Sequence, residues 1–294
     1  MNFAKIYENK EILYNIDLQT ILSLINKDKT TLIHLTNKTN NTIDKNFDNI
    51  SLIQINKRFS RKEILKIKKE TFIFIDLNTN VDYKVMVSLI KKLIKIFKIL
   101  FKQNKIPYLD INSHNVILAI SSNNTMEYFQ DICTSLKAIF TSSKKEKYEV
   151  IYDYVCEYLD NEFKNKKLCD FNNNICAASR EGLTKNKFNG CCYSFEYGTG
   201  GIIINYKPCK YLINGNCTAK CISCKLHTCF YLKTKNIYFK TNKILLLKCF
   251  FSQKQHLILK NNFFKSKDEI INKLCKTNFM PYIIYYIFEL YKIR

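Results

Sequence analysis

Cysteine is the residue type that most clearly suggests chemistry in this chain. Of its 13 cysteines, nine lie within one short segment: Cys169, Cys176, Cys191, Cys192, Cys209, Cys217, Cys221, Cys224 and Cys229. Thiolate is a soft ligand, and four thiolates around one point satisfy a tetrahedral Zn²⁺ ion or an iron–sulfur cluster. The last four cysteines are separated by only two to four residues, which lets one turn of the chain deliver two ligands. The pattern predicts metal binding with ligands drawn from these nine cysteines, and both two sites of four thiolates and one cluster with spare thiols fit their number.

Zn²⁺ is the cofactor we expect, with an iron–sulfur cluster as the alternative. Zinc is the commoner structural metal in small glycine-rich knuckles, whereas iron would imply redox chemistry or sensing. All the candidate ligands are thiols, which favours a mainly structural metal. His227, three residues after Cys224, could replace one thiolate, but we favour its interpretation as a surface residue or a donor to a ligand. Cys133, Cys156 and Cys275 lie outside the segment, and we expect them to be buried as small apolar side chains.

Part of this segment resembles a known family. Gly190-Cys191-Cys192, then Cys209-x-x-Leu212 followed by Cys217, then Cys224-Lys225-x-x-x-Cys229 resemble the YkgJ-like cysteine-cluster proteins, a family assigned zinc- or iron-chelating domains. The resemblance covers residues 169–229 and implies that Cys169 and Cys176 match the family's upstream pair. The family's Arg-Pro pair is absent here, and Lys220-Cys221 stands near its place. The resemblance implies a bound metal and little beyond it.

The segment Cys217-x3-Cys221-x2-Cys224 also has the spacing of the radical-SAM cluster motif. Only 70 residues follow Cys224 in the chain of 294, too few for the barrel of repeated strand–helix units that normally follows this motif. This count argues against a radical-SAM enzyme, but the clustered cysteines keep an iron–sulfur redox or modifying enzyme as an alternative function.

The N-terminal half contains a second pattern with catalytic precedent. Asp76-Leu77-Asn78 ends one predicted strand, and Ser113-His114 opens another. Archaeo-eukaryotic primases are similar in combining a carboxylate pair for metal ions with a Ser-x-His motif. Here Asn78 replaces one carboxylate, the residue between Ser113 and His114 is missing, and Asp110 is the only other carboxylate nearby. The resemblance implies, as a further alternative, a basic nucleic-acid-handling protein with a degenerate primase-like N-terminal module.

The charge balance indicates an affinity for polyanions. The chain has 47 Lys and Arg residues against 25 Asp and Glu, a net charge of +22, and the positive charges are spread along it. Such a protein binds nucleic acid and other polyanions non-specifically by releasing their counterions. We therefore expect a metal ion as the specific partner and polyanion binding as a consequence of charge.

The cysteine count and the chain start favour a reducing compartment. Thirteen is an odd number, and the start, MNFAKIYENKEIL, lacks the basic-then-apolar pattern of a signal peptide. Cytosolic thiols are kept reduced, so clustered cysteines there more often bind metal than form disulfides. No stretch has the roughly 20 apolar residues of a transmembrane helix. We expect a cytoplasmic protein with no transmembrane segment.

Composition divides the chain into two parts. All six glycines lie close together: Gly182, Gly190, Gly198, Gly200, Gly201 and Gly215. We expect an α/β module of unknown role over residues 1–144 and a cysteine-rich metal-binding domain over 145–294, with its core at 169–229. The predicted fold class is an α/β (or α+β) N-terminal module plus a small irregular cysteine-rich domain with flanking helices.

The first part is predicted to alternate strands with helices. Four β-branched runs predict strands: Thr31–Leu35, Ser51–Ile55, Thr71–Ile75 and Asn115–Ile120. Between the last two, a helix capped by Asp82 carries apolar residues on one face (Val85, Leu89, Leu93, Ile96 and Leu100) and lysines on the other (Lys91, Lys95, Lys98 and Lys102). We interpret it as a core-facing helix with a solvated lysine face.

Later elements are predicted from shorter patterns. Before the cysteine segment we expect a helix over 125–140, a polar inter-domain link over 141–147, and a helix with Val150, Ile151, Val155, Tyr158 and Leu159 on its apolar face. After the segment we expect a hairpin of Ile237–Phe239 with Ile244–Leu247. Two helices follow, one over Ile270–Leu274 behind a capping box of Ser266 and Glu269, and a last one from Pro281 to Tyr291.

Overall fold

The structure is a computed structural model of the chain. It describes residues 2–7, 10–14, 30–37, 50–55, 57–58, 70–77, 81–102, 116–120, 128–169, 171–172, 175–176, 193–197, 199–201, 203–213 and 216–277. The chain divides into two compact units, residues 1–150 and 151–294. Composition predicted a domain boundary after residue 144, which is the first residue of a long helix, Lys144–Asn165. The observed boundary between the units, after residue 150, lies within the same helix.

Unit 1 is organised around a six-stranded sheet. Its strands are β1 (Asn2–Tyr7), β2 (Lys10–Tyr14), β3 (Thr30–Thr36), β4 (Ile50–Gln54), β5 (Glu70–Asp76) and β6 (Val116–Ile120). The spatial order is β1-β2-β6-β5-β3-β4. Strands β1 and β2 pair antiparallel, and all other neighbours are parallel. The chain therefore passes from β3 outward to β4 and then returns to the opposite side of β3 as β5.

The central strands are buried on both faces. Leu32, Ile33 and Leu35 of β3 and Ile73 and Ile75 of β5 are each 0% exposed. Parallel sheets that are covered on both faces read as continuous apolar runs, which is why the β-branched runs predicted these strands correctly. The four predicted strands are confirmed within one residue at each end, whereas β1 and β2 were not predicted.

Two helices of unit 1 follow the predicted pattern. Helix α1 (Tyr83–Lys102) begins after Asp82, whose Oδ1 accepts a hydrogen bond from the Val85 N–H at 2.8 Å. On its apolar face Leu89, Leu93 and Ile96 are buried and Val85 is half-buried. Five of its six lysines are exposed: Lys84, Lys91, Lys95, Lys98 and Lys102. Helix α2 (Phe129–Phe140) follows β6, and Phe140 packs edge-on against Phe97 of α1. These residues make the described part of unit 1 an α/β structure.

The predicted inter-domain link is wrong for its second half. Helix α3 spans Lys144–Asn165, so the stretch predicted as a link over 141–147 includes its first turn. Ser143 explains the difference, because its hydroxyl accepts a hydrogen bond from the Glu146 N–H and its carbonyl accepts one from the Lys147 N–H. A serine that caps in this way starts a helix even where the residues are polar. The helix predicted around Val155 is confirmed as part of α3.

Unit 2 consists of short elements around the second part of α3. Its strands are β7 (Phe171–Asn172), β8 (Ile175–Cys176), β9 (Tyr193–Tyr197), β10 (Ile203–Pro208), β11 (Leu212–Ile213) and β12 (Asn216–Cys217). Its helices are α4 (Ile222–Leu226), α5 (Phe230–Thr234), α6 (Leu245–Phe250), α7 (Gln253–Asn261) and α8 (Lys267–Cys275). The strands pair as antiparallel hairpins, β7 with β8, β9 with β10, and β11 with β12. Gly200, with φ of 80°, lies in the turn between β9 and β10.

The predicted hairpin of Ile237–Phe239 with Ile244–Leu247 is wrong. A 3₁₀ turn at Thr241–Lys243 leads instead into helix α6, where Leu245, Leu246 and Leu247 are all buried. A short apolar run does not distinguish a strand from a buried helix, and leucine favours the helix. The capping box of Ser266 and Glu269 is confirmed at the start of α8. The predicted last helix from Pro281 lies outside the described residues.

Among the described residues, no helix combines the length and apolar content needed to cross a bilayer.

Candidate metal centre

The nine candidate cysteines differ in how the structure places them. Four are buried, at 2% to 8% exposure: Cys209, Cys221, Cys224 and Cys229. Cys169 and Cys217 are exposed. Cys176 belongs to β8, whose side chains are not described, and Cys191 and Cys192 lie outside the described residues. The six whose side chains are described form no disulfide with one another.

Cys221 and Cys224 are brought together by a single turn. Cys221 is the residue before helix α4, and Cys224 lies in its first turn. The Cys224 thiol donates a hydrogen bond to the Cys221 sulfur, and the backbone N–H groups of Cys224, Phe264 and Ser223 donate to the same sulfur. The Phe264 N–H also lies 3.5 Å from the Cys224 sulfur. The Cys221–Cys224 turn thus surrounds one sulfur atom with donors.

These donors change the protonation of Cys221. The hydrogen bond from Cys224 has the largest effect, burial acts against it, and together the donors lower the Cys221 pKa from 9.0 to about 6. In its thiol form Cys221 instead donates to the Asn262 carbonyl oxygen at 3.4 Å. A thiolate at neutral pH is the form of cysteine that binds metals and acts as a nucleophile.

Other buried cysteines show the opposite behaviour. Burial raises the pKa of Cys156 to about 12 and that of Cys133 to about 11. Cys156 is 2% exposed, and the prediction that it is buried as a small apolar side chain is confirmed. Cys133 and Cys275 are only partly buried. Burial alone therefore does not produce a thiolate, and the hydrogen-bond donors at Cys221 account for the difference.

Ser223 fixes the Cys221–Cys224 turn to the end of helix α7. Its hydroxyl donates to the Leu259 carbonyl oxygen at 2.7 Å and accepts a hydrogen bond from the Asn262 N–H at 3.1 Å. The Asn262 side chain in turn donates to the Ile258 carbonyl oxygen at 2.7 Å. Each of these groups is buried, so each hydrogen bond replaces one that water would otherwise supply.

Tyr152 of helix α3 fixes the other end of the turn. Its hydroxyl donates to the Lys220 carbonyl oxygen at 3.0 Å and accepts a hydrogen bond from the Ile222 N–H at 3.2 Å. The whole side chain is buried, and burial is the main reason why its pKa is raised. The backbone on both sides of Cys221 is therefore held by one phenol.

A buried cation follows the second cysteine. The Lys225 side chain is 4% exposed and its ammonium group pairs with the Asp160 carboxylate. Lys220, which is mostly exposed, lies 3.8 Å from the other oxygen of Asp160. A buried lysine is stable only when it is paired, so the pair holds helix α4 against α3.

The Phe264 backbone adopts an unusual conformation. Its φ is 59°, which lies in the left-handed region that residues with a Cβ rarely adopt. The same residue directs its N–H at both sulfurs of the Cys221–Cys224 turn. Its neighbour Phe263 packs edge-on against His227, with ring centroids 5.7 Å apart. The prediction that His227 is not a metal ligand remains a prediction.

The described residues do not assemble a complete metal site. Among them, no group of three or more His, Cys, Asp or Glu side chains has an arrangement that would hold a metal ion. The structure therefore brings two of the nine predicted ligands, Cys221 and Cys224, into hydrogen-bond contact. The sequence predicted both as ligands among nine candidates, because short separations let one turn deliver two ligands, but it did not single out this pair.

No family model, curated protein or solved structure matches this chain. The resemblance of residues 169–229 to the YkgJ-like proteins therefore remains a prediction.

One polar pair in unit 1 was not predicted from the sequence as a site. His34 of β3 is 0% exposed, and its Nε2 atom lies 3.5 Å from Asp76 Oδ2 at the end of β5. Asp76 itself was noted in the primase-like pattern, whereas Asn78, Asp110, Ser113 and His114 lie outside the described residues. The sequence signal that could have pointed to this pair is the position of His34 inside a predicted strand of apolar and β-branched residues.

Proposed function

We propose that the chain binds Zn²⁺ through cysteine thiolates of the segment 169–229 and that the metal is mainly structural. The observation that carries the proposal is the Cys221–Cys224 turn, in which backbone N–H groups converge on a cysteine sulfur. Such donors stabilise the negative charge that a thiolate retains when it binds a metal. An iron–sulfur cluster is the alternative occupant of the same thiolates, and a cytoplasmic, reducing location belongs to the proposal.

The turn supplies two of the four ligands that a tetrahedral ion requires. The other two would come from the remaining seven cysteines of the segment. Of these, Cys209 and Cys229 are buried in unit 2 and are the described thiols already shielded from water. The described elements of the segment are short, with strands of two to six residues and a helix of five, and bound metal would supply part of its folding free energy.

The first test is anaerobic purification followed by elemental analysis and a visible spectrum on one sample. One or two zinc ions per chain and no colour would support the proposal. A brown protein with iron and acid-labile sulfide would show that the thiolates hold an iron–sulfur cluster and not zinc, and would support the redox or modifying enzyme. A folded protein with neither metal would overturn metal binding.

A matched pair of variants locates the site. Cys221→Ser removes a thiol from the turn, whereas Cys275→Ser removes a partly buried thiol at the end of α8, outside the segment. We expect Cys221→Ser to lower the zinc content and Cys275→Ser to leave it unchanged. Equal zinc content in the two variants would show that the metal does not depend on this turn.

Polyanion binding is a second candidate function, favoured by helix α1. Five lysines, Lys84, Lys91, Lys95, Lys98 and Lys102, are exposed along one helix of 20 residues. Burial, and after it the nearby charge of Lys98, lowers the pKa of Lys147, so a further lysine at the start of α3 lies near this helix. A row of lysines on a rigid helix provides a surface for the phosphates of a nucleic acid.

The salt dependence of binding tests this candidate. Replacing Lys91, Lys95 and Lys98 by Gln should reduce the slope of log affinity against log salt by about 2–3, since each phosphate contact contributes about 0.9 for duplex DNA. The control replaces Lys233, Lys243 and Lys260, three exposed lysines of unit 2. Equal losses of affinity in the two triple variants would show that only total charge matters.

A further inference from the structure

The parallel sheet of unit 1 places a polar pair where sheets of this kind bind ligands. Strand β4 lies on one side of β3 and β5 on the other, so the chain reverses its direction of progress across the sheet between β3 and β5. In open parallel sheets, ligands bind outside the carboxyl ends of the strands at such a reversal. Thr36 and Asp76 are the last residues of these two strands and are partners in the register, and His34 lies two residues before Thr36.

Side chains two residues apart on a strand point to the same face, and so do register partners. His34, Thr36 and Asp76 therefore share one face of the sheet at its carboxyl edge. His34 and Thr36 are 0% exposed, and the Asp76 side chain, at 10%, reaches closest to solvent. The Phe74 ring, 5.0 Å from the His34 ring, packs beside the imidazole.

The histidine is buried without a hydrogen bond. In the part of the chain that the structure describes, neither Nδ1 nor Nε2 of His34 has a hydrogen-bond partner. The 3.5 Å between Nε2 and Asp76 Oδ2 is longer than the roughly 2.7–3.2 Å of an N–H···O hydrogen bond. A buried polar group left without a partner destabilises the folded state, so a ligand that satisfied the imidazole would recover that free energy.

The separation of the two atoms suits a metal ion between them. In a tetrahedral zinc site with bonds of about 2.0–2.2 Å, two ligand atoms lie about 3.3–3.6 Å apart. The observed 3.5 Å falls within this interval. Imidazole nitrogen with carboxylate oxygen is also a donor set that divalent transition metals accept.

We propose that His34 Nε2 and Asp76 Oδ2 bind a divalent transition-metal ion of the zinc type at the carboxyl edge of the sheet. The two side chains supply two ligands, and water or an oxygen of a substrate would supply the others. This site is independent of the cysteine segment, because it uses nitrogen and oxygen donors of unit 1. A permanently metal-free histidine–aspartate pair is the competing interpretation.

Cobalt spectroscopy on the full chain distinguishes the two sites. The protein is first loaded with Zn²⁺, and a mild chelator then removes zinc from nitrogen–oxygen sites while the thiolates, which hold zinc more tightly, retain it. Co²⁺ is then titrated into this protein anaerobically. Cobalt bound by thiolates gives an intense sulfur-to-metal charge-transfer band, whereas cobalt bound by nitrogen and oxygen gives ligand-field bands alone. We expect one saturable Co²⁺ per chain with ligand-field bands and no sulfur band. Absence of that species in the wild-type protein would overturn the proposal, whatever the zinc content of the cysteine segment.

Variants assign the cobalt to the pair. His34→Asn and Asp76→Asn should each abolish the saturable binding, and Cys221→Ser should not affect it. His256→Asn is the matched control, since His256 also has a buried ring nitrogen without a hydrogen-bond partner in the described residues. Retention of the cobalt species by folded Asp76→Asn would refute the assignment.

If the variants fail to fold, the wild-type protein still decides. The chain has only four histidines. With ¹⁵N-labelled histidine, we expect Co²⁺ to shift or broaden the ring signals of one histidine, and variants of His114, His227 and His256 would leave that signal in place. Unchanged signals from all four would overturn the proposal.

Discussion

Ser223→Ala would reveal how strongly the Cys221–Cys224 turn is fixed. The hydroxyl is 1% exposed and makes two hydrogen bonds, to the Leu259 carbonyl oxygen and from the Asn262 N–H. A hydrogen bond contributes about 1 kcal/mol net, and a buried donor left unpaired costs about 1–3 kcal/mol. Since the alanine leaves the Asn262 N–H without this acceptor, we expect a loss of about 2–4 kcal/mol in the free energy of unfolding.

The assay is equilibrium unfolding in urea, with Ser266→Ala as the matched control. Ser266 also makes side-chain hydrogen bonds within its own capping box, but it is exposed at the start of α8. Loss of an exposed helix cap typically costs about 1 kcal/mol. The difference between the two variants therefore isolates the effect of burial. A loss for Ser223→Ala no larger than that for Ser266→Ala would refute the reasoning.

Three further outcomes follow from the same part of the structure. In metal-free protein, the rate of Cys221 alkylation should rise with pH with a midpoint near pH 6, and a midpoint near 9 would contradict this. Because the Cys221 pKa is lowered on folding, the stability that its thiolate contributes should be lost as the pH falls through 6. Tyr152→Phe should cost about 1–3 kcal/mol in urea unfolding, because the Ile222 N–H and the Lys220 carbonyl lose a partner, and an unchanged stability would show that water replaces the phenol. Phe264→Gly should be more stable than Phe264→Ala by about 1 kcal/mol, because only glycine takes a positive φ without cost, and equal stabilities would mean that the turn relaxes.

The sequence predicted the parts of the fold that depend on local pattern. Strand β3 was identified because its β-branched residues are buried on both faces, and α1 because its apolar residues recur at helical spacing. Helix α6 was predicted as part of a hairpin, since a run of consecutive leucines has no periodicity that separates the two structures. The start of α3 was also missed, because the residues around Ser143 are polar and predicted a link. The hydrogen bond that the Ser143 hydroxyl accepts, and not the polarity of the stretch, decides where this helix begins.

The candidate sites were predictable only where their residues are close in sequence. The short separations between cysteines placed Cys221 and Cys224 among nine candidate ligands, but Asn262 and Phe264, which contact their sulfurs, lie about 40 residues further along the chain. His34 could not be recognised as part of a site, because its meaning depends on its position beside Asp76. That position follows from the pairing of β3 with β5, which strand composition does not specify.

The strained residue Phe264 links the protonation of the turn to its conformation. A left-handed backbone costs roughly 1–2 kcal/mol for a residue with a Cβ, and the Phe264 N–H gains only a weak acceptor if the sulfur is a neutral thiol. A thiolate accepts a charge-assisted hydrogen bond about twice as strong. The conformation with φ of 59° is therefore favoured more by the thiolate than by the thiol. Since a bound metal keeps cysteine deprotonated, metal binding and the closed arrangement of Asn262 and Phe264 around the Cys221–Cys224 turn should stabilise each other.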